Sequence, residues 1–91
     1  MSPPEVFDAL LSLARELDLE VRRVAPDDAQ TSGVCRLRGR VWVLLSAGDP
    51  IERHIAVIAA ALREHAAEAC ESRYLPPAVR EALERPVVRR A

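Results

Sequence analysis

The segment Val41-Trp42-Val43-Leu44-Leu45 is apolar at odd and even positions alike, and no other feature constrains the fold as strongly. A strand with one face in water alternates apolar and polar residues; a strand that does not alternate needs cover on both sides. A chain of 91 residues makes one small domain and has little left over for a third layer. Only Phe7, Trp42 and Tyr74 are aromatic, so the core has to be built from Leu, Val and Ile.

Val34 to Ser46 reads as a β-hairpin. Gly39 at the first central position suits a two-residue type II′ turn over Gly39-Arg40. That register sets Arg38 against Val41, Leu37 against Trp42, Arg36 against Val43, Cys35 against Leu44 and Val34 against Leu45. One face then holds Cys35, Leu37, Trp42 and Leu44, and the other Val34, Arg36, Arg38, Val41, Val43 and Leu45. A slip of one residue would exchange these sets. Trp42 and Leu44 are expected under the helices, which leaves Val41, Val43 and Leu45 in need of a second cover.

The flanking segments have clear signals. Ser2-Pro3-Pro4-Glu5 opens a helix with a capping box, and Val6, Ala9, Leu10, Leu13 and Leu17 continue it at helical spacing to about Asp18. Leu19-Glu20-Val21-Arg22 alternates as a short strand with Leu19 and Val21 inward, and residues 25–33 are a turn-rich loop. Asp49-Pro50-Ile51-Glu52 predicts a second helix start, with Asp49 as cap. Its stripe of Ile51, Ile55, Ile58, Leu62, Ala66 and Ala69 runs on to Cys70 or Ser72. Tyr74-Leu75-Pro76-Pro77 breaks that helix, and Pro77 to Arg85 forms a last one with Val79 and Leu83 inward. The expected architecture is an α+β domain over residues 1–85 in the order α-β-β-β-α-α, followed by a flexible C-terminal tail, 86–91. In it a small antiparallel sheet is packed on one face by two main helices.

Charge and motif spacing narrow the function more by exclusion than by assignment. Thirteen basic residues, all arginine, face fourteen acids, and a pI near 6.1 argues against nucleic-acid binding. The longest apolar run, Ile55 to Leu62, is too short for a bilayer, which needs about 20 residues, and the N-terminus lacks an export signal. Cys35 and Cys70 have no Cys-x-x-Cys spacing, and a cytoplasmic chain with two free thiols is expected. His54 and His65 share an azimuth on the long helix but lie about 16 Å apart along it, too far to share one metal ion. His65 and Glu68 sit one turn apart and supply two ligands where zinc needs at least three. No cofactor, metal or nucleophile motif is present, so a non-enzymatic chain is expected. A partner-completed zinc hydrolase using His54, His65 and Glu68 is the alternative. Arg36, Arg38 and Arg40 concentrate three cations with no acid among them, which offers a second alternative, an anion-binding regulator.

Two stretches, Cys35-Arg36-Leu37-Arg38-Gly39 and Leu75-Pro76-Pro77-Ala78-Val79-Arg80-Glu81, resemble a group of small bacterial proteins of unknown function. That resemblance covers about two thirds of the chain and implies no activity. The order of helix, strand, hairpin and long helix is also similar to the minimal metallopeptidase domain of the ImmA/IrrE type. That domain carries His-Glu-x-x-His on its long helix. Here the corresponding stretch, Ile55 to His65, matches neither histidine of the motif, so the resemblance implies a non-catalytic relative and transfers no site residue.

The expectation that follows is a protein-interaction module, self-associating or a subunit of a larger assembly. Its contact surface would be Val34, Arg36, Arg38, Val41, Val43 and Leu45, an apolar patch with an arginine rim. If the C-terminal segment Tyr74 to Leu83 roofs this face instead, the patch is lost.

Overall fold

The computed structural model describes residues 1–25 and 32–85. The expected turn-rich loop lies largely, and the expected tail wholly, outside the described residues. Seven elements follow one another: α1 (Pro3–Glu16), β1 (Glu20–Val24), β2 (Gly33–Leu37), β3 (Arg40–Ser46), α2 (Ile51–His65), α3 (Ala67–Glu71) and α4 (Pro77–Glu84). The class is α+β, as the sequence predicts.

Local chemistry accounts for most of the boundaries. At the start of α1 the Ser2 N–H and hydroxyl both donate to the Glu5 carboxylate at 2.9 Å, the carboxylate half of the expected capping box. These bonds hold the Glu5 carboxyl below its ordinary pKa, the backbone bond more than the hydroxyl. At the other end Asp18 takes a left-handed φ of 66°, a conformation Asp tolerates better than most residues. That kink turns Leu19 into the core. The predicted long helix is two helices: α2 stops at His65, and α3 begins at Ala67. Ala66 leaves helical geometry, with φ −145° and ψ 32°, while its N–H still bonds the Leu62 carbonyl at 2.8 Å.

The sheet corrects the expectation of an all-antiparallel arrangement. Its order is β1-β3-β2: β2 pairs antiparallel with β3, and β1 pairs parallel with β3. The last strand therefore lies in the middle. The reason is legible in composition, because β3 has no polar side chain between Arg40 and Ser46 while β1 and β2 both carry arginines. A strand without alternation is stabilised most at the centre, and charge is tolerated at an edge.

The hairpin turn also differs by one position. It is Arg38-Gly39, with φ of 53° and 80°, the two positive values of a type I′ turn. Pairing becomes Leu37 with Arg40, Arg36 with Val41, Cys35 with Trp42, Val34 with Val43 and Gly33 with Leu44. The ladder has moved by two residues, so apart from Arg38, which enters the turn, the sets of residues sharing a face are unchanged. Which set faces the core is the reverse of the expectation.

Val43 and Leu45 are fully buried, 0% and 1% exposed, and pack with Leu10, Ile58 and Leu62 from α1 and α2. Val21 and the half-buried Val41 extend this layer. Val79, Ala82 and Leu83 of α4 join the same core, and α4 packs against α1 and α2. The C-terminal helix thus thickens the helical layer and does not roof the opposite sheet face.

Candidate interaction surface

Register decides which side chains share the face that no described helix covers. Parallel pairing sets Glu20 beside Trp42 and Arg22 beside Leu44, while the hairpin sets Cys35 beside Trp42 and Leu37 beside Arg40. One face of the sheet therefore presents Trp42, Leu44, Cys35 and Leu37 with Glu20, Arg22 and Arg40 around them. Every described helix lies on the other face.

The charged residues on this face are organised rather than free. Glu20 accepts a hydrogen bond from Arg22 Nε at 2.7 Å and lies 3.7 Å from Arg40. Arg22 also sits over the Trp42 ring, 5.3 Å from its centroid, and shields part of the indole. Arg23, the next residue, points the other way and lies 5.8 Å over Phe7. Trp42 and Leu44 are half-buried, Cys35 is exposed, and Leu37 is 50% exposed. An apolar centre with a polar rim is the composition of a contact surface.

A polar network pins the end of the sheet to the start of α2. The Ser32 hydroxyl and N–H donate to Asp49 Oδ2 at 2.7 and 3.1 Å, and the Ser46 N–H donates to the Ser32 hydroxyl at 2.9 Å. His54 Nε2 lies 2.7 Å from the Ser46 carbonyl, so that nitrogen carries the proton. Both serines are buried, and this network ties the start of β2 to the end of β3 and to the first turn of α2. Asp49 is thereby diverted from the helix cap expected of it; Pro50 occupies that position. The Ser32 bonds, hydroxyl first, hold the Asp49 carboxyl below its ordinary pKa.

The residues singled out from sequence are dispersed. Val43 and Leu45 belong to the core and cannot contact a partner in the folded chain, which corrects their assignment to the patch. Val41 is half-buried on the same side. Val34, 38% exposed, and Arg36 lie at the rim of that side on the outer strand β2. Arg38 occupies the turn, and Arg40 lies on the opposite face from Arg36, so the arginine triplet does not converge. His54 is engaged with Ser46 and packs 6.1 Å from Phe7, whereas His65 is exposed at the end of α2. Among the described residues no three His, Cys, Asp or Glu side chains are grouped to hold a metal ion. Cys70 is buried, which pushes its thiol pKa up, and neither cysteine is in a disulfide.

The sequence places Cys35, Leu37, Trp42 and Leu44 on the face expected under the helices and singles out neither Glu20 nor Arg22, whereas all six share this face. The alternation of Glu20 and Arg22 with Leu19 and Val21 was the available signal. It marks one charged and one apolar side of β1, but linking those sides to β3 requires the parallel register. No described helix is long and apolar enough to cross a membrane. No family profile, curated protein or solved structure matches this chain.

Proposed function

We propose that this chain is a small cytoplasmic protein-interaction module without catalytic activity, which self-associates through the sheet face that no described helix covers. The observation that carries this reading is the placement of all described helices on one side while Trp42, Leu44, Cys35 and Leu37 occupy the other. The charges favour a second copy. Glu20 lies beside Arg22 and Arg40, so two such faces related by a two-fold axis can oppose acid and arginine.

The size of the face sets the strength. Three strands span about 14 Å across and about 17–23 Å along their length, well below the roughly 800 Å² per partner of stable complexes. The dimer is therefore weak and concentration-dependent. Sedimentation equilibrium up to about 1 mM protein tests it. The wild type is expected to shift toward twice the chain mass, and Leu37→Asp, a change at an exposed position, is expected to remain a folded monomer. A wild type that stays monomeric throughout that range ends this reading.

A further inference from the structure

A second, separate surface lies on the helix side of the molecule. Between the start of β2 and the outer flank of α2 runs a groove of about 320 Å³ whose walls include Val34, Ala56 and Ala60. Arg53, Arg63 and Arg85 also line it, and among the described residues no carboxylate does. Arg63 donates to the carbonyls of Leu83 and Arg85, which fixes the end of α4 as the groove's far wall. Arg36 and Arg53 have no ion-pair partner among the described residues.

The outer side of β2 has no partner strand among the described residues, and the register says which backbone groups face it. β2 is an outer strand. Leu37 and Arg40 flank the two-residue turn and form the first hydrogen-bonded pair of the hairpin. Bonded pairs then recur at Cys35 with Trp42 and at Gly33 with Leu44. Val34 and Arg36 fall between them, so their N–H and C=O groups point away from β3. No turn or loop backbone group among the described residues bonds them. The same alternation places both side chains on the helix side, where Val34 lines the groove and Arg36 follows it one pair further along the strand.

We propose that this edge and groove receive an extended segment of a partner protein, of the pattern acidic-x-small apolar-x-acidic. Its backbone adds a strand beside β2 through Val34 and Arg36. Side chains two residues apart then face the helices together, spanning about 13 Å over four residues. The central small residue enters the groove over Ala56 and Ala60, and the flanking carboxylates meet the arginines, Arg36 and Arg53 foremost. Charge selects this occupant over the chain's own C-terminal residues, because Arg89 and Arg90 repeat the sign of the rim. It is also independent of self-association, which uses the opposite sheet face.

The probe is a fluorescein-labelled peptide containing Glu-Thr-Val-Thr-Glu, titrated with the full chain at low micromolar concentration and followed by anisotropy. Amide NMR shifts locate the contact. Saturable binding with shifts at Val34 and Arg36 is expected, weakened about tenfold by Arg53→Glu and by Arg36→Glu. Val34→Pro removes an outward N–H and leaves the β3 ladder intact, and a loss of about tenfold is expected there too. Arg53→Glu, on the exposed side of α2, keeps the test valid if the proline variant does not fold. Leu37→Asp is expected to bind the peptide as the wild type does, which separates this site from the dimer surface. The proposal is overturned by any of three results: no saturable binding, equal binding of a peptide with Lys for Glu, or shifts confined to the Trp42 face. It is also overturned if Val34 and Arg36 amides are already protected from exchange in the free chain, since another segment or a second copy then holds the edge.

Discussion

Val41, Val43 and Leu45 project from β3 into the helices, while Trp42 and Leu44, alternating with them, project away. The two sets are alike in hydrophobicity and in strand propensity. They differ in what the rest of the chain lays beside them. The inner set meets Leu10, Ile58 and Leu62; the outer set meets Arg22 and other sheet residues. A small chain can supply one helical layer, and among the described residues its central strand is covered by helices on one face only. Apolar content alone does not tell a core face from a contact face.

The largest test of that contrast is charge insertion. Val43→Asp buries an unpaired carboxylate at a position with no exposure, and a loss of more than about 4 kcal/mol, enough to unfold a small domain, is expected by circular dichroism. A folded Val43→Asp protein contradicts the assignment of the inner face. Leucine truncation sharpens the comparison at neighbouring positions. Leu45→Ala leaves a cavity and is expected to cost about 3 kcal/mol in urea melts, against about 1 kcal/mol for the half-buried Leu44→Ala. Equal losses would mean that the two faces are equally packed.

Acid titration gives a smaller effect and reports on the network that pins the sheet end. The folded-state pKa of Asp49 lies below its ordinary value of 3.8 because Ser32 donates two hydrogen bonds to it. Its contribution to stability is therefore fully present above that ordinary value and is lost as the pH falls through the folded one. Asp49→Asn is expected to lower stability near neutral pH and to flatten the acid side of the profile. An unchanged acid slope would disconnect the network from folding. The last test leaves stability untouched. Cys35, exposed on the Trp42 face, should react with a thiol reagent in the native state. Cys70, buried and with its pKa raised, should react about a hundredfold more slowly, through local opening. Comparable rates would place Cys70 outside the core.

Much of this arrangement was legible residue by residue. The Ser2-Pro3-Pro4-Glu5 start, the inward Leu19 and Val21, the Val79 and Leu83 stripe and the membership of both β3 faces follow from spacing and local hydrogen-bonding capacity. The break at Ala66 was not, because Ala66 and Ala67 are strong helix formers and carry no stop signal. The diversion of Asp49 to Ser32, 17 residues away, was equally hidden, since a cap and a long-range acceptor look identical in one dimension.

That β3 is apolar on both sides, that helices flank it and that arginines accompany it can be read directly from the order of residues. These depend on period and composition, which are local. The parallel run of β1 beside β3, the entry of Val43 rather than Trp42 into the core and the joining of α4 to the helical layer instead of the sheet's other face emerge only from long-range packing. Those outcomes depend on which surfaces meet across long stretches of chain. Two faces of similar hydrophobicity give nearly the same burial free energy in either orientation until strand register and helix packing choose between them.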